Sequence, residues 1–379
     1  MQTQNWNFSN GARSIAILAL LAMSFATLAT AQSHEDVRAI LDSAAKEATN
    51  VSGVSIFAAP PKGFDPLKAT NQELATYGLP QRPDQATQAN AYEIWERGML
   101  AAKHRADGKL DVKSFSSTNL KPVNSQGAAV SGQSFTKSSN WSGIAATNTN
   151  RTFNAKTSFD LVESVFNVPV AQPPFGACAR GITGPFYEVS WNGIDGFSNG
   201  DVVQGGSLSA ADCSGNTLYE AWVEWFPSYS ILGVFYVHPG DDIWVQTYGY
   251  PGTSTQYVFV EDITLQTYGT YALPYVKGPG LVGNSAEWIV ERPCCAPSGF
   301  PLALANTIYD FFAYDFAYKG NGAVVYAGST AASTFNISML ADDGTTVIEG
   351  VYAGTAGTEG LESLWFVDEA CAYSGGCTP

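Results

Sequence analysis

The chain has 379 residues, of which 13% are aromatic and 14% charged, with 34 acidic side chains against 19 basic ones and three histidines. An excess of carboxylates is the wrong sign for nucleic acid, whose phosphates need cations. It suits a protein working at low pH, where protonation relieves the self-repulsion that crowded carboxylates suffer near neutrality.

Residues 1–31 read as a leader for export. Arg13 is followed by the mostly apolar stretch SIAILALLAMSFATLATA, which ends in Ala29-Thr30-Ala31, so cleavage is expected after Ala31. The competing reading, a membrane anchor, suffers from Ser24, Thr27 and Thr30, which interrupt a run already short for a bilayer span. No later stretch is long and apolar enough to cross, so the expected location is outside the cell or in a periplasm, with no membrane attachment after cleavage.

Residues 32–137 read as helix and linker. Val37, Ile40, Leu41 and Ala44 predict a helix over 34–48, and Ile94, Trp95, Met99 and Ala102 predict another over 90–106. YGLPQRPD between them is a proline-broken turn. From Asp107 to about Thr136 the composition is rich in Ser, Asn, Gly and Lys, which predicts a linker. Within residues 97–137 seven basic residues face two acidic ones, whereas residues 138–379 hold six basic and 23 acidic.

From Ser138 the pattern changes to short alternating runs broken by glycine. TSFDLVESVFNVPV, FYEVSWNGIDG, YEAWVEWFP, DDIWVQTYGY, QYVFVEDIT, AEWIVE and SLWFVDEA all read as strands. With no long helical period and no internal repeat, residues 138–379 predict one all-β domain, an antiparallel β-sandwich. All six cysteines lie there, an even number that in an exported chain suggests disulfides. Cys371 and Cys377, in the short loop CAYSGGC, are the simplest pair to expect. Zinc is disfavoured by the lack of a CxxC pair and by a single histidine, His238, in this part.

Side chains alternate across a strand. In AEWIVE, Ala286, Trp288 and Val290 share one face, and Glu287, Ile289 and Glu291 the other. In YEAWVEWFP, Glu220, Trp222, Glu224 and Phe226 lie opposite Ala221, Val223 and Trp225. Carboxylates alternating along a strand are most often a solvated outer face. The tryptophans among them favour a concave binding surface instead.

Six segments in order, SNWSG (139–143), FNVPV (166–170), WNGIDG (191–196), VVQGG (202–206), YEAWVEWFP (219–227) and AEWIVE (286–291), resemble the eqolisins, the glutamic peptidase family. The resemblance spans residues 139–291. It implies a concanavalin-like sandwich of two large antiparallel sheets, acid endopeptidase activity without metal or cofactor, and a propeptide, here residues 32–137. Residue by residue, Gln204 matches the family's catalytic glutamine and Glu291 its catalytic glutamate. Trp191, Asp195 and Glu224 match residues that line the cleft and support the pair. Glu220 and Trp222 share a face with Glu224 and are expected to touch substrate. Two departures, a glycine after Gln204 where relatives have threonine and Phe226 where they have tyrosine, remove no catalytic group.

The residue types suit the chemistry. A carboxyl near the attacking water and the scissile nitrogen serves as base and then acid, and an amide NH₂ donates to the oxyanion. Glutamine does not titrate, so it keeps that role at pH values where a second carboxylate would be protonated. Glu287 is expected to meet solvent or polar neighbours.

Two other classes fit parts of the pattern. A glycoside hydrolase would use Glu224 and Glu291 as its carboxylate pair and leave Gln204 incidental. A lectin-like module would use Trp191, Trp222 and Asp195 without catalysis. GFSNG (196–200) satisfies G-x-S-x-G but lacks the following helix and an activating histidine, and no D-T/S-G motif occurs. Sequons stand at Asn50, Asn140, Asn150 and Asn336.

The expected partners are protein or peptide substrates and the chain's own residues 32–137, with the protein a monomer. The basic stretch 97–137 is expected to cover the acidic cleft and to let go as carboxylates protonate, with a cut near residues 121–138.

Overall fold

The computed structural model describes residues 34–123, 127–130, 133–295, 301–329, 333–353 and 364–368. The expected signal segment 1–31, Cys371 and Cys377 lie outside them. In the first third come α1 (His34–Ser43), β1 (Lys46–Ala48), β2 (Ser55–Phe57), α2 (Asn71–Thr76), α3 (Ala89–Ala101), β3 (His104–Arg105), β4 (Asp111–Val112), β5 (Gly127–Val130) and β6 (Gln133–Ser138). Then follow β7 (Trp141–Thr147), β8 (Phe159–Asn167), β9 (Phe186–Ile194), β10 (Val202–Ala211), β11 (Thr217–Phe226), β12 (Leu232–Tyr236), β13 (Asp242–Tyr248), β14 (Thr255–Asp262) and β15 (Thr267–Pro274). The last are β16 (Ser285–Glu291), β17 (Tyr309–Lys319), β18 (Val324–Tyr326), β19 (Thr334–Leu340), β20 (Val347–Ala353) and β21 (Leu364–Asp368).

The strands make the expected antiparallel sandwich. One sheet runs β12–β11–β10–β9–β16–β7. The other runs β15–β14–β13–β8–β17. They join through β19, β20 and β21, which lead from β7 to β17. The two-residue period decides which side chains fill the space between. Val203, Val223, Trp225, Trp288 and Val290 come from the first sheet and Phe166, Val245, Val258, Val260 and Phe312 from the second. Each such side chain contributes about 1.5–3 kcal/mol on burial. The indole N–H groups are satisfied too: Trp288 donates to the Glu163 carbonyl (3.0 Å) and Trp225 to Asp201 (2.8 Å).

Residues 34–112 wrap the sandwich. Val37, Leu41, Phe57, Leu74, Ile94, Trp95 and Met99 pack on Trp244, Tyr248, Tyr257, Phe259 and Tyr268, the outer face of the second sheet. Gly98 of α3 lies flat on the Trp244 ring, where a Cβ would sit 2.3 Å from ring carbon. The segment also covers both end strands: β2 and β3 pair with β15, and β4 with β12. Unpaired edges invite aggregation.

These contacts correct the expected boundaries. The helix expected over 34–48 ends at Ser43, because 46–48 pair with β2. The one expected over 90–106 ends at Ala101, because 104–105 join β15. Nor is the stretch after Asp107 a free linker. Leu110, Ser117, Thr118 and Leu120 are buried, and the chain crosses the open face of the first sheet. Its polar composition satisfies polar groups of that face rather than water.

Among the described residues, Cys178 and Cys213 form a disulfide with Cα atoms 5.6 Å apart, tying the turn before β9 to the β10–β11 hairpin. The chain-entropy effect of a loop of this size is about 3–4 kcal/mol. Cys178→Ser with Cys213→Ser should lose about that much in urea unfolding.

Candidate active site

The concave face of the first sheet is built by register. Gln204 on β10 lies opposite Glu224 on β11, with Gly206 opposite Trp222 and Leu208 opposite Glu220. On the other side Gly206 lies opposite Trp191 of β9. Trp191 in turn faces Ile289 of β16, and Glu291 faces Val189. Gly206 has no alternative here, since a Cβ would fall 2.0 Å from the Ser190 carbonyl oxygen. The strand periodicity thus puts Trp191, Gln204, Glu220, Trp222, Glu224, Glu287 and Glu291 on one side.

Gln204 and Glu291 meet on one peptide unit, that of Ser117 and Thr118, and Glu224 takes the N–H of the unit before it. The Gln204 amide Nε2 donates to the Ser117 carbonyl oxygen (3.0 Å) and to Glu224 Oε2 (3.0 Å). Both are acceptors, which sets the orientation of the amide. Its Oε1 lies 3.2 Å from Ser117 Oγ. Glu291 Oε1 accepts from the Thr118 N–H (3.0 Å) and from Asn140 Nδ2 (3.1 Å). Glu291 Oε2 accepts from Trp191 Nε1 (3.0 Å) and from the Ser117 hydroxyl. The Ser117 N–H donates to Glu224 Oε2 (2.9 Å).

The remaining expected site residues are placed as follows. Trp222 is buried in an apolar cluster with Trp141, Trp191, Leu120 and Ile289. Glu220 pairs with Lys113. Asp195 stands apart from the pair: with φ 69° at the end of β9, its carboxylate accepts the backbone N–H groups of Val282 (2.5 Å), Gly283 (2.9 Å) and Asn284 (2.8 Å). It staples the loop before β16 rather than reaching Glu291 directly. Glu287, expected to meet solvent or polar neighbours, is 0% exposed and lies beside Ser285 and the Phe197 backbone. The 195–200 stretch is a turn between β9 and β10, and His238 lies in another turn, after β12.

Four contributors escaped the sequence reading. Asn140 stands in the quoted SNWSG segment and also reads as a sequon. The structure buries it completely on Glu291, so it is no glycan acceptor. Trp141 closes the site by donating its indole N–H to the Thr118 carbonyl (2.9 Å) and stacking edge-on against Trp191 (centroids 5.0 Å). Ser117 and Thr118 carried no signal, because polar residues in a Ser-rich run read as linker.

Burial governs the electrostatics. It pushes the Glu291 carboxyl up to about 8, against the pull of its four donors. Glu224 is held well above the usual carboxylate range, first by burial and also by its neighbour Glu291, with the Ser117 and Gln204 N–H groups pulling the other way. Among the described residues no three His, Cys, Asp or Glu side chains come together as a metal site. Two protonatable carboxyls and an amide around a peptide bond make an arrangement for moving protons and polarising a carbonyl.

The family described as Peptidase A4 matches residues 139–356. Solved structures similar to this chain include scytalido-glutamic peptidase with a peptide-based transition-state analogue, at 18% identity and TM-score 0.46 over 61% of this chain and 98% of that one. SCP-B, an eqolisin in complex with a tripeptide, has 18% identity and TM-score 0.45 over the same shares. Aspergilloglutamic peptidase from Aspergillus niger has 23% identity and TM-score 0.39 over 48% of this chain and 99% of that one. No curated protein matches the sequence.

Proposed function

Because this chain belongs to the Peptidase A4 family, the eqolisins, and is thus a glutamic peptidase, we propose that Gln204 and Glu291 are its working pair and that residues 32–137 are a leader removed for activity. The observation that supports this most is that both side chains engage one peptide bond, the amide on its carbonyl oxygen and the carboxyl on its nitrogen. In hydrolysis Glu291 takes a proton from water as the water oxygen adds to the carbonyl carbon, and Gln204 holds the oxyanion. Glu291 then returns the proton to the departing nitrogen. Glu224 aims the Gln204 amide. Burial beneath residues 117 and 118 is what keeps Glu291 protonated in the covered chain. In the open, hydrated cleft that burial is relieved, and Asn140 and Trp191 fix the carboxyl and favour the ionised form that acts as base. The glycosidase alternative leaves Gln204 idle and gains nothing from its two bonds.

The leader's charge is only part of its hold. Arg97–Asp242 and Lys113–Glu220 are the ion pairs that its basic residues 97–121 make with the domain, among the described residues. The rest of the grip is apolar packing, strand pairing and the plug at Ser117. Export by the 1–31 segment belongs to the same reading. Acid-treated protein should digest a denatured protein at about pH 3 in the presence of pepstatin, with no digestion from Gln204→Ala. An inert, properly folded and processed wild type would end the proposal. Trp191→Phe keeps an aromatic ring, smaller than the indole, but removes one donor to a charged group, about 1.5 kcal/mol or roughly tenfold in rate, read as a fall in kcat/KM.

A further inference from the structure

The leader does more than lie over the cleft, because its backbone is bound there the way a peptide would be. Lys113 N–H donates to the Ile231 carbonyl (3.0 Å), and the Cys294 N–H to the Ser116 carbonyl (2.7 Å). Leu120 N–H donates to the Gly196 carbonyl (3.0 Å), and Lys121 N–H to Asn140 Oδ1 (3.0 Å). Phe115 packs on Tyr187 with ring centroids 4.9 Å apart. Midway, the Ser117 carbonyl oxygen and the Thr118 nitrogen touch Gln204 and Glu291, the two atoms that hydrolysis must charge and release.

Such a bond should not survive in front of its own catalytic pair, unless one reactant is missing. The reactant that the packing excludes is water. To be activated, a water must touch the Glu291 carboxyl beside the carbonyl carbon of residue 117. The Ser117 hydroxyl already fills that position, bonded to Glu291 Oε2 and 3.2 Å from Gln204 Oε1. Ser117 is 0% exposed, which leaves no second way in. The hydroxyl cannot replace water as nucleophile, since it sits on the residue whose own carbonyl is at stake and attack would close a strained four-membered ring.

We propose that residues 113–121 are held as an uncut substrate with the Ser117–Thr118 bond on the working pair, and that the Ser117 hydroxyl keeps it uncut by standing in the water's place. Serine directly before the bond then marks peptides that bind without being cleaved, and alanine or glycine there marks peptides that are cut. The inference rests on the Gln204–Glu291 reading. Removing the hydroxyl leaves a gap about the size of a water oxygen with polar groups on two sides, the kind of site that water occupies. The step then balances. The water oxygen bonds to the carbonyl carbon of residue 117 and one water proton goes to the ionised Glu291 carboxylate, the form that the Thr118, Asn140 and Trp191 N–H donors and the entering water favour. The carbon–nitrogen bond breaks, and that proton passes to the Thr118 nitrogen. The products are a C-terminal carboxylic acid at 117 and a free amine at Thr118.

The test uses the full chain with Ser117→Ala, Ser117→Gly and Ser117→Thr beside wild type, incubated at about pH 3 and followed by intact mass and N-terminal sequencing. Ala and Gly should yield a new N-terminus at Thr118 at least ten times faster than wild type, and Thr, which keeps a hydroxyl, should stay uncut there. The peptide KSFSSTNLK should inhibit processed enzyme, while its counterpart with alanine for the second of the paired serines should be cleaved before threonine. The inference is overturned by Ala and Gly chains that stay intact at 117–118, or by Ser117→Thr cut as fast as Ala, when the processed enzyme digests denatured protein. If processed wild type digests nothing, the peptidase reading itself fails, and the inference falls with it.

Discussion

Glu291→Gln should lower kcat by about 10⁴-fold, because in the proposed mechanism it removes the group that takes a proton from water and gives one to the leaving nitrogen. Gln204→Ala should lose about 10²–10³-fold, the effect of deleting one oxyanion donor. The two losses should not add, since each residue acts on an intermediate the other helps to form. Glu291→Gln is isosteric, whereas Gln204→Ala removes a buried amide, so the comparison is fair when far-UV circular dichroism and urea midpoints match wild type. An active Glu291→Gln enzyme would move the chemistry elsewhere, with Glu224 the first candidate.

Stability should be highest near pH 3–4 and fall steadily as pH rises through neutrality. The folded chain buries many carboxyls that hold protons more tightly than they would unfolded. Burial pushes Glu163 and Glu291 up to about 8 and Asp262 up to about 7. Glu261 and Glu287 are raised well above the usual range by burial, as is Glu188, which shares Ser190 with Asp310. A raised folded pKa means the folded state binds more protons. The stabilisation is complete below the unfolded carboxyl range near 4 and is lost progressively as pH rises from there through the folded values, about 7 and about 8 for the groups named. One such group costs about 1.4 kcal/mol per pH unit. Thermal or urea midpoints between pH 4 and 8 read the trend directly, and Glu163→Gln should flatten its slope. A midpoint that rises toward pH 7 would show that these carboxyls are not buried as described.

Much of this was legible because a strand has a two-residue period. Alternation in AEWIVE and YEAWVEWFP put Glu291 and Glu224 on the face opposite Trp288 and Val223, and the sandwich keeps them there. Depth is less legible than side. Glu287 shares the face of Glu291, yet nothing in the pattern says that the face is covered. Asp195 was harder still, since its role depends on a loop some 87 residues away that brings three N–H groups to it. The path of residues 108–120 was invisible for a different reason. A peptide bound mainly through its backbone leaves little trace in its side chains, and the one side chain that matters there, Ser117, is the commonest kind of linker residue.

The leader's grip on both end strands and on the Trp244 face has a consequence for what activation means. In the proposed activation, a cut between residues 121 and 138 would turn the leader from a tethered segment into a separate inhibitor, still paired to β15 and β12 and still packed through α3. Before the cut its effective concentration is set by the tether, in the millimolar range for short flexible connections. Afterwards it is set by the volume into which the protein is released. The scission is first order and its yield does not depend on how crowded the protein is, but liberation of the cleft is an equilibrium governed by dilution. A cut enzyme held at high concentration would thus remain largely silent, and the same molecules would become active by spreading out.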